Sequence, residues 1–195
     1  MRLILKDICI KHNNLSVLNN FNFELKKFDN LMILGSNGSG KTSLIKTIIG
    51  LNPYAGEIFF EGLNTKKESY LLKKMNGVIL EESEFPENLR VDEYLDFVKS
   101  FYEKWNNSIM SLFKLNPSKI IKELSRGEKQ KLKIILALSH EPKNLIMDEP
   151  LQNLDFESEK VFLKLLKKYS QGKIIISTHH PEKYRFIKPK KIILK

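Results

Sequence analysis

Short apolar runs separated by longer stretches of mixed character set the rhythm of this chain. Leu31–Leu34, Val78–Leu80, Leu145–Met147, Ile174–Ile176 and Ile192–Leu194 are continuous apolar segments of strand length. That is the pattern of strands buried on both faces. Between them lie segments with helical periodicity, and the alternation predicts an α/β fold with a mainly parallel core sheet. The first 30 residues differ. Leu3–Ile10 and Val17–Leu25 are β-like segments around the turn-prone His12-Asn13-Asn14, and Glu57–Phe60 with Gly62 adds another. These predict a small N-terminal antiparallel β layer beside the main sheet. From about 85 to 125 no strand pattern is clear. Val91, Tyr94, Leu95, Val98, Phe101, Tyr102 and Trp105 predict an amphipathic helix over Val91–Trp105. The stretch reads as a helical insertion within a single domain of residues 1–195.

Composition narrows the class. With 42% hydrophobic residues the chain can bury a sizeable core and is not disordered as a whole. The longest apolar run, Ile134–Leu138, is far short of the ~20 residues a membrane-spanning helix needs. The apolar start of the N-terminus is broken at Lys6 and Asp7, which is too short for a secretory signal. One cysteine, Cys9, forms no internal disulfide, so a cytoplasmic location is expected. Thirty-three basic against 23 acidic residues give a formal charge of +10. This favours an anionic partner. The lysines come in pairs such as Lys26-Lys27 and Lys190-Lys191 and form no long block, so no nucleic-acid arm is expected.

Two segments carry chemistry at recognisable spacing. Gly35-Ser36-Asn37-Gly38-Ser39-Gly40-Lys41-Thr42 matches G-x-x-x-x-G-K-[ST], between the apolar strand Leu31–Leu34 and a helical stretch beginning at Ser43. Glycines at these places let successive backbone N–H groups turn inward around a phosphate at a helix N-terminus. Lys41 adds a full positive charge and Thr42 a hydroxyl for Mg2+. The second segment, Leu145-Ile146-Met147-Asp148-Glu149, ends an apolar strand in two carboxylates. Strand alternation predicts that they point to opposite sides, Asp148 toward Mg2+ and Glu149 toward a water as general base.

A third segment, Leu124-Ser125-Arg126-Gly127-Glu128-Lys129-Gln130, heads a helical stretch running to about His140. Ser125 and Glu128 also form an ordinary capping box. Here the chain resembles the ATP-binding-cassette (ABC) family, whose signature motif commonly reads L-S-G-G-Q. The order and intervals of Lys41, Glu81, Ser125, Asp148 and His179 are similar to that family along nearly the whole chain. Pro150–Asp155 resembles its D-loop, in which Asp155 helps join two protomers, and Ser177-Thr178-His179 its switch histidine.

The resemblance implies a P-loop NTPase fold and an Mg2+-dependent ATPase. It implies ATP held between the phosphate loop of one cassette (Gly35 to Thr42 and Ser43) and Ser125 and Gly127 of another. It further implies Glu149 and His179 as catalytic residues, Thr42, Asp148 and Glu81 at the metal, and a homodimer or pseudo-dimer serving a separate integral-membrane permease. The helical insertion near Phe85–Trp105 would dock on that permease from the cytoplasmic side. A soluble ABC ATPase in DNA repair, translation or cofactor assembly is the alternative. The end of the chain soon after its last apolar strand fits a minimal cassette.

Several positions depart from the family. His12 stands where an aromatic usually stacks on adenine. Glu81 stands where the family has the Q-loop glutamine, with Glu82 the alternative register. A carboxylate there predicts tighter metal occupancy. Arg126 replaces the first glycine of the signature and is expected to point away from the nucleotide. Asn144 shortens the apolar run ahead of Asp148.

Overall fold

A computed structural model describes residues 1–12 and 15–194; the side chains of His12 and Leu15 lie outside the described set. The elements, in order, are β1 (Leu3–His12), β2 (Leu15–Leu25), β3 (Leu31–Leu34), α1 (Lys41–Ile48), β4 (Ala55–Phe60), β5 (Leu63–Asn64), α2 (Ser69–Met75) and β6 (Asn76–Ile79). There follow α3 (Val91–Lys99), α4 (Ser108–Phe113), α5 (Arg126–Ser139), β7 (Asn144–Asp148), α6 (Phe156–Leu166), β8 (Ile174–Ser177) and β9 (Lys190–Ile193). Five strands form a parallel sheet in the order β6-β7-β8-β3-β9. Four form an antiparallel sheet in the order β2-β1-β4-β5. The chain has the mixed α/β architecture its apolar pattern predicts.

Every residue of β7 and β8 is buried, which explains why these strands read as unbroken apolar runs. Side chains alternate between the two faces. Met32, Leu145, Met147, Ile174 and Ile176 join a core with Val91, Phe113, Leu132 and Phe162 from the helices after β6. Leu31, Ile33, Ile146, Ile175 and Ile192 join a second core with α1, α2 and the antiparallel layer, through Leu44, Ile48, Leu72, Leu3 and Ile58. Each face thus carries its own cover, and the strand ends between the two covers are where the polar groups gather.

The polar residue that opens β7 is accounted for. Asn144 is buried and its Nδ2 donates to Asn76 Oδ1 at 2.9 Å, a pair joining the starts of β7 and β6.

The helix beginning at Val91 is shorter than its periodicity predicts. It ends at Lys99 rather than Trp105. Beyond it the chain is caught by the end of α5: Tyr102 stacks on His140 at 4.2 Å between ring centroids, and Asn106 N donates to Ser139 O at 2.6 Å. Tyr102 is thereby placed without continuing the helix, and Trp105 packs partly buried against the apolar core. Phe97 and Phe101 remain exposed and meet edge to face at 5.2 Å, whereas Phe85 is partly buried against Tyr94. Among the described residues no helix is long and apolar enough to cross a membrane.

Candidate active site

The glycine-rich turn sits where β3 passes into α1. Gly38 and Gly40 have φ of +79° and +94°, the left-handed region in which a side chain is strained. Gly35 lies so close to the chain end that a Cβ there would stand 2.8 Å from Leu194 O. Lys41 is buried and its ammonium donates to the carbonyl oxygens of Gly35 and Ser36, each at 3.0 Å. The turn thus curls around its own lysine and holds that charge at the α1 N-terminus. Such a terminus favours anions. Ser39 N closes the curl on Ser36 O at 3.2 Å, and Ser39 Oγ is buried without a partner among the described residues.

The end of β7 meets this turn. Thr42 Oγ1 donates to Asp148 Oδ2 at 2.5 Å, and Ser177 Oγ at the end of β8 donates to Asp148 Oδ1. Glu149 follows with φ +43°, and its N–H donates to Ser177 O at 3.2 Å. The strand therefore stops at Asp148, and alternation no longer governs the next side chain. Contrary to the expectation of opposite sides, Asp148 and Glu149 border the same depression. Glu149 Oε2 accepts from His179 N at 3.2 Å, and His179 Nε2 lies 3.4 Å from Oε1. Burial pushes the Glu149 carboxyl above its ordinary range, against the smaller opposing pull of His179. The adjacent His180 turns its ring toward Glu182, 3.4 Å away.

The depression has a volume of about 920 Å³ and gathers most of the residues singled out from the sequence. Asn37, Gly38, Gly40, Lys41, Thr42, Ser43, Glu81, Asp148, Glu149 and His179 all border it. Glu82 borders it as well, paired with Lys46 at 2.6 Å. Glu81 Oε1 accepts from Gln152 Nε2 at 2.9 Å. Ser125 and Gly127 do not border it. They open α5, where Ser125 Oγ accepts from Glu128 N at 3.2 Å and Glu128 Oε2 accepts from Ser125 N at 2.8 Å, the capping box expected. Lys119 grips both Glu128 oxygens at 2.9 Å and, with the Ser125 N–H, holds that carboxyl below its usual range. Arg126 is exposed. The adenine contact expected of His12 falls on a side chain outside the described residues.

The structure adds contacts that no motif names. Gln130 is buried and its Nε2 donates to Pro150 O at 2.8 Å. A Cβ on Gly127 would lie 2.7 Å from Asn153 O. Lys131 pairs with Asp155 at 2.6 Å, and with the Ser158 N–H it holds that carboxyl down to about 2. Asp155, which also caps α6 by accepting from Ser158 N, is therefore engaged within its own chain. Lys133 places its ammonium on the carbonyl oxygens of Leu80, at 2.9 Å, and Glu81. Its only local sign is a cation between Leu132 and Ile134, which does not reveal the partners.

A parallel α/β sheet with a lysine-bearing glycine turn, a hydroxyl on an aspartate and a partly buried glutamate define a protein that handles nucleoside triphosphates. Comparison with known proteins is more specific. The family model described as "ABC transporter" matches residues 18–152. The energy-coupling factor transporter ATP-binding protein of Fusobacterium nucleatum is 34% identical over 192 residues, spanning 90% of this chain and 72% of that protein. ABC transporter G family member 20 of Dictyostelium discoideum is 30% identical over 188 residues, and there the chain spans only 26% of the relative's length. A solved ATP-binding subunit of an ABC transporter superimposes with a TM-score of 0.85 at 26% identity, covering 100% of this chain and 86% of that one. The chain belongs to the ABC transporter family, as an ATP-binding and ATP-hydrolysing cassette.

Proposed function

We propose that two of these cassettes close on ATP and reopen on its hydrolysis, and that this motion powers a transmembrane permease. One observation carries the reading. Lys41, Thr42, Asp148, Glu149 and His179 face one depression, while Ser125 and Gly127, the second grip expected on the γ-phosphate, lie outside it. A terminal phosphate seated there is surrounded from one side, and a second copy presenting its α5 N-terminus completes the enclosure.

The residues fit Mg2+. Thr42 and Asp148 bring hard oxygen donors together, and no cluster of three His, Cys, Asp or Glu among the described residues could cage a metal unaided. Mg2+ is characteristically held by one or two carboxylates together with substrate phosphates. Thr42 and Asp148 would hold it, with Glu81 at the rim, and when bound it neutralises charge on the phosphate oxygens. In our reading Lys41 and the N–H groups of the turn bind the β- and γ-phosphates. Glu149 takes a proton from the attacking water, which adds to the γ-phosphorus as the bond to ADP breaks. His179, in contact with both Glu149 oxygens, fixes the direction in which that base points.

The exposed Phe97 and Phe101 give the permease an apolar contact beside a groove of about 320 Å³ lined by Leu51, Tyr94, Val98 and Tyr102. This would place the cassette on the cytoplasmic face of its membrane. Purification of the tagged protein from detergent-solubilised membranes of its own cells tests the transport part. A polytopic chain eluting in fixed ratio with the cassette is expected. An active cassette found wholly in the soluble fraction contradicts it.

A further inference from the structure

Glu81 is held from two sides, by Gln152 and by Lys133. It follows β6, at the point where the chain leaves the parallel sheet and enters the rim of the depression. Its carboxylate accepts from Gln152, in the turn after Asp148. Its carbonyl, and that of Leu80 before it, accept from the Lys133 ammonium. Ser83 Oγ adds a bond to Leu80 O at 3.2 Å, and Lys46 holds the neighbouring Glu82 at 2.6 Å. Lys133 alone among these reaches across from α5, the helix that opens with Ser125 and Gly127.

The placement has a cost that needs a return. A half-buried ammonium gives up water, and two carbonyl oxygens restore only part of that loss. The charges of Glu81 and Asp148 offset part of the rest, and desolvation still holds the Lys133 ammonium below its ordinary pKa. Lys133 is thus a cation bonded to the backbone that aims the rim carboxylate. The packing face of α5 is already buried through Leu132, Ile134 and Ile135.

We infer that Lys133 is a positioning residue for Glu81: by gripping the carbonyls of Leu80 and Glu81 it sets where the Glu81 carboxylate stands at the metal-nucleotide site, and it ties that position to α5. The inference rests on the reading that Glu81 reaches the metal. Supports of this kind, one step removed from the metal, typically matter by about 10–100-fold in metal affinity or activity.

The experiment measures ATPase rate against Mg2+ concentration at saturating ATP, with affinity for a fluorescent ATP analogue in EDTA as a metal-free control. Lys133→Met, which keeps the stem and removes the charge, is expected to raise the half-saturating Mg2+ concentration about tenfold while leaving metal-free affinity unchanged. Lys133→Arg is expected to stay close to wild type. The double variant Lys133→Met/Glu81→Gln is expected to match Glu81→Gln alone, because Lys133 acts through Glu81; a merely structural role gives additive losses and overturns the inference. If Glu81→Gln shifts the Mg2+ curve and Lys133→Met does not, the positioning role fails and the metal reading of Glu81 stands. If Glu81→Gln itself leaves the curve unchanged, the metal reading fails and the inference falls with it. Should Lys133→Met not fold, Lys133→Gln takes its place with the same expected direction and the same overturning result.

Discussion

Thr42 and Asp148, 106 residues apart in the chain, share a 2.5 Å hydrogen bond that joins the start of α1 to the end of β7. The two are brought together by the sheet: β3 and β7 flank β8, and all three run in the same direction. Their C-terminal ends therefore meet at one edge, where open α/β sheets bind their ligands. Hydroxyl and carboxylate are held in contact by the fold itself, poised for a hard cation.

Lys41 is expected to matter for binding and little for folding. Among the described residues its ammonium bonds only the carbonyls of its own turn, Gly35 and Ser36. Lys41→Ala should weaken ATP binding roughly a hundredfold, the scale of a lost charged hydrogen-bonding group, with a nearly unchanged melting temperature. Titration with a fluorescent ATP analogue checks this; wild-type affinity contradicts the assignment of the turn.

Asn30 is a structural keystone. It is buried, its Nδ2 donates to Ser170 O at 2.8 Å and Ile187 O at 2.7 Å, and its Oδ1 accepts from Lys173 N and Ile174 N at 3.0 Å. Asn30→Ala strips partners from two N–H groups and two carbonyls around the starts of β8 and β9. A loss of about 3 kcal/mol in denaturant unfolding is expected; a loss under about 1 kcal/mol would show that water replaces the amide freely.

His140 makes stability depend on pH. It is buried beneath Tyr102, and burial pushes its pKa from 6.5 down to about 4. Between those values the unfolded chain binds a proton that the folded chain refuses. Its contribution is therefore intact above about pH 6.5 and is lost as the pH falls toward about 4, by an amount on the order of 3 kcal/mol. Unfolding free energy measured from pH 7 to 4 should fall more steeply in wild type than in His140→Gln. Parallel curves would remove His140 from the explanation.

The parts legible in the sequence were those in which chemistry is local. The turn from Gly35 to Thr42 needs glycines at places that local backbone geometry dictates, and the buried strands need runs of apolar residues, so both announce themselves. Asp148 was legible as the end of such a run. The direction of Glu149 was not, because its positive φ breaks the alternation from which it was reasoned. The end of α3 was also hidden: residues 102 and 105 keep helical spacing, but the contacts of Tyr102 with His140 and of Asn106 with Ser139 outweigh it. Asn30, Gln130, Gln152 and Lys133 act on partners remote in sequence, and no spacing rule reaches them.

The central claim is that two copies enclose the terminal phosphate, and light scattering on Glu149→Gln tests it most directly. This variant keeps the side chain's shape and removes the base, so bound ATP persists. With saturating ATP and Mg2+ its mass should rise to about twice the 22.8 kDa of one chain, and return to that of one chain when ATP is withdrawn. A variant that binds ATP in full and still scatters as a single 22.8 kDa chain would contradict the account.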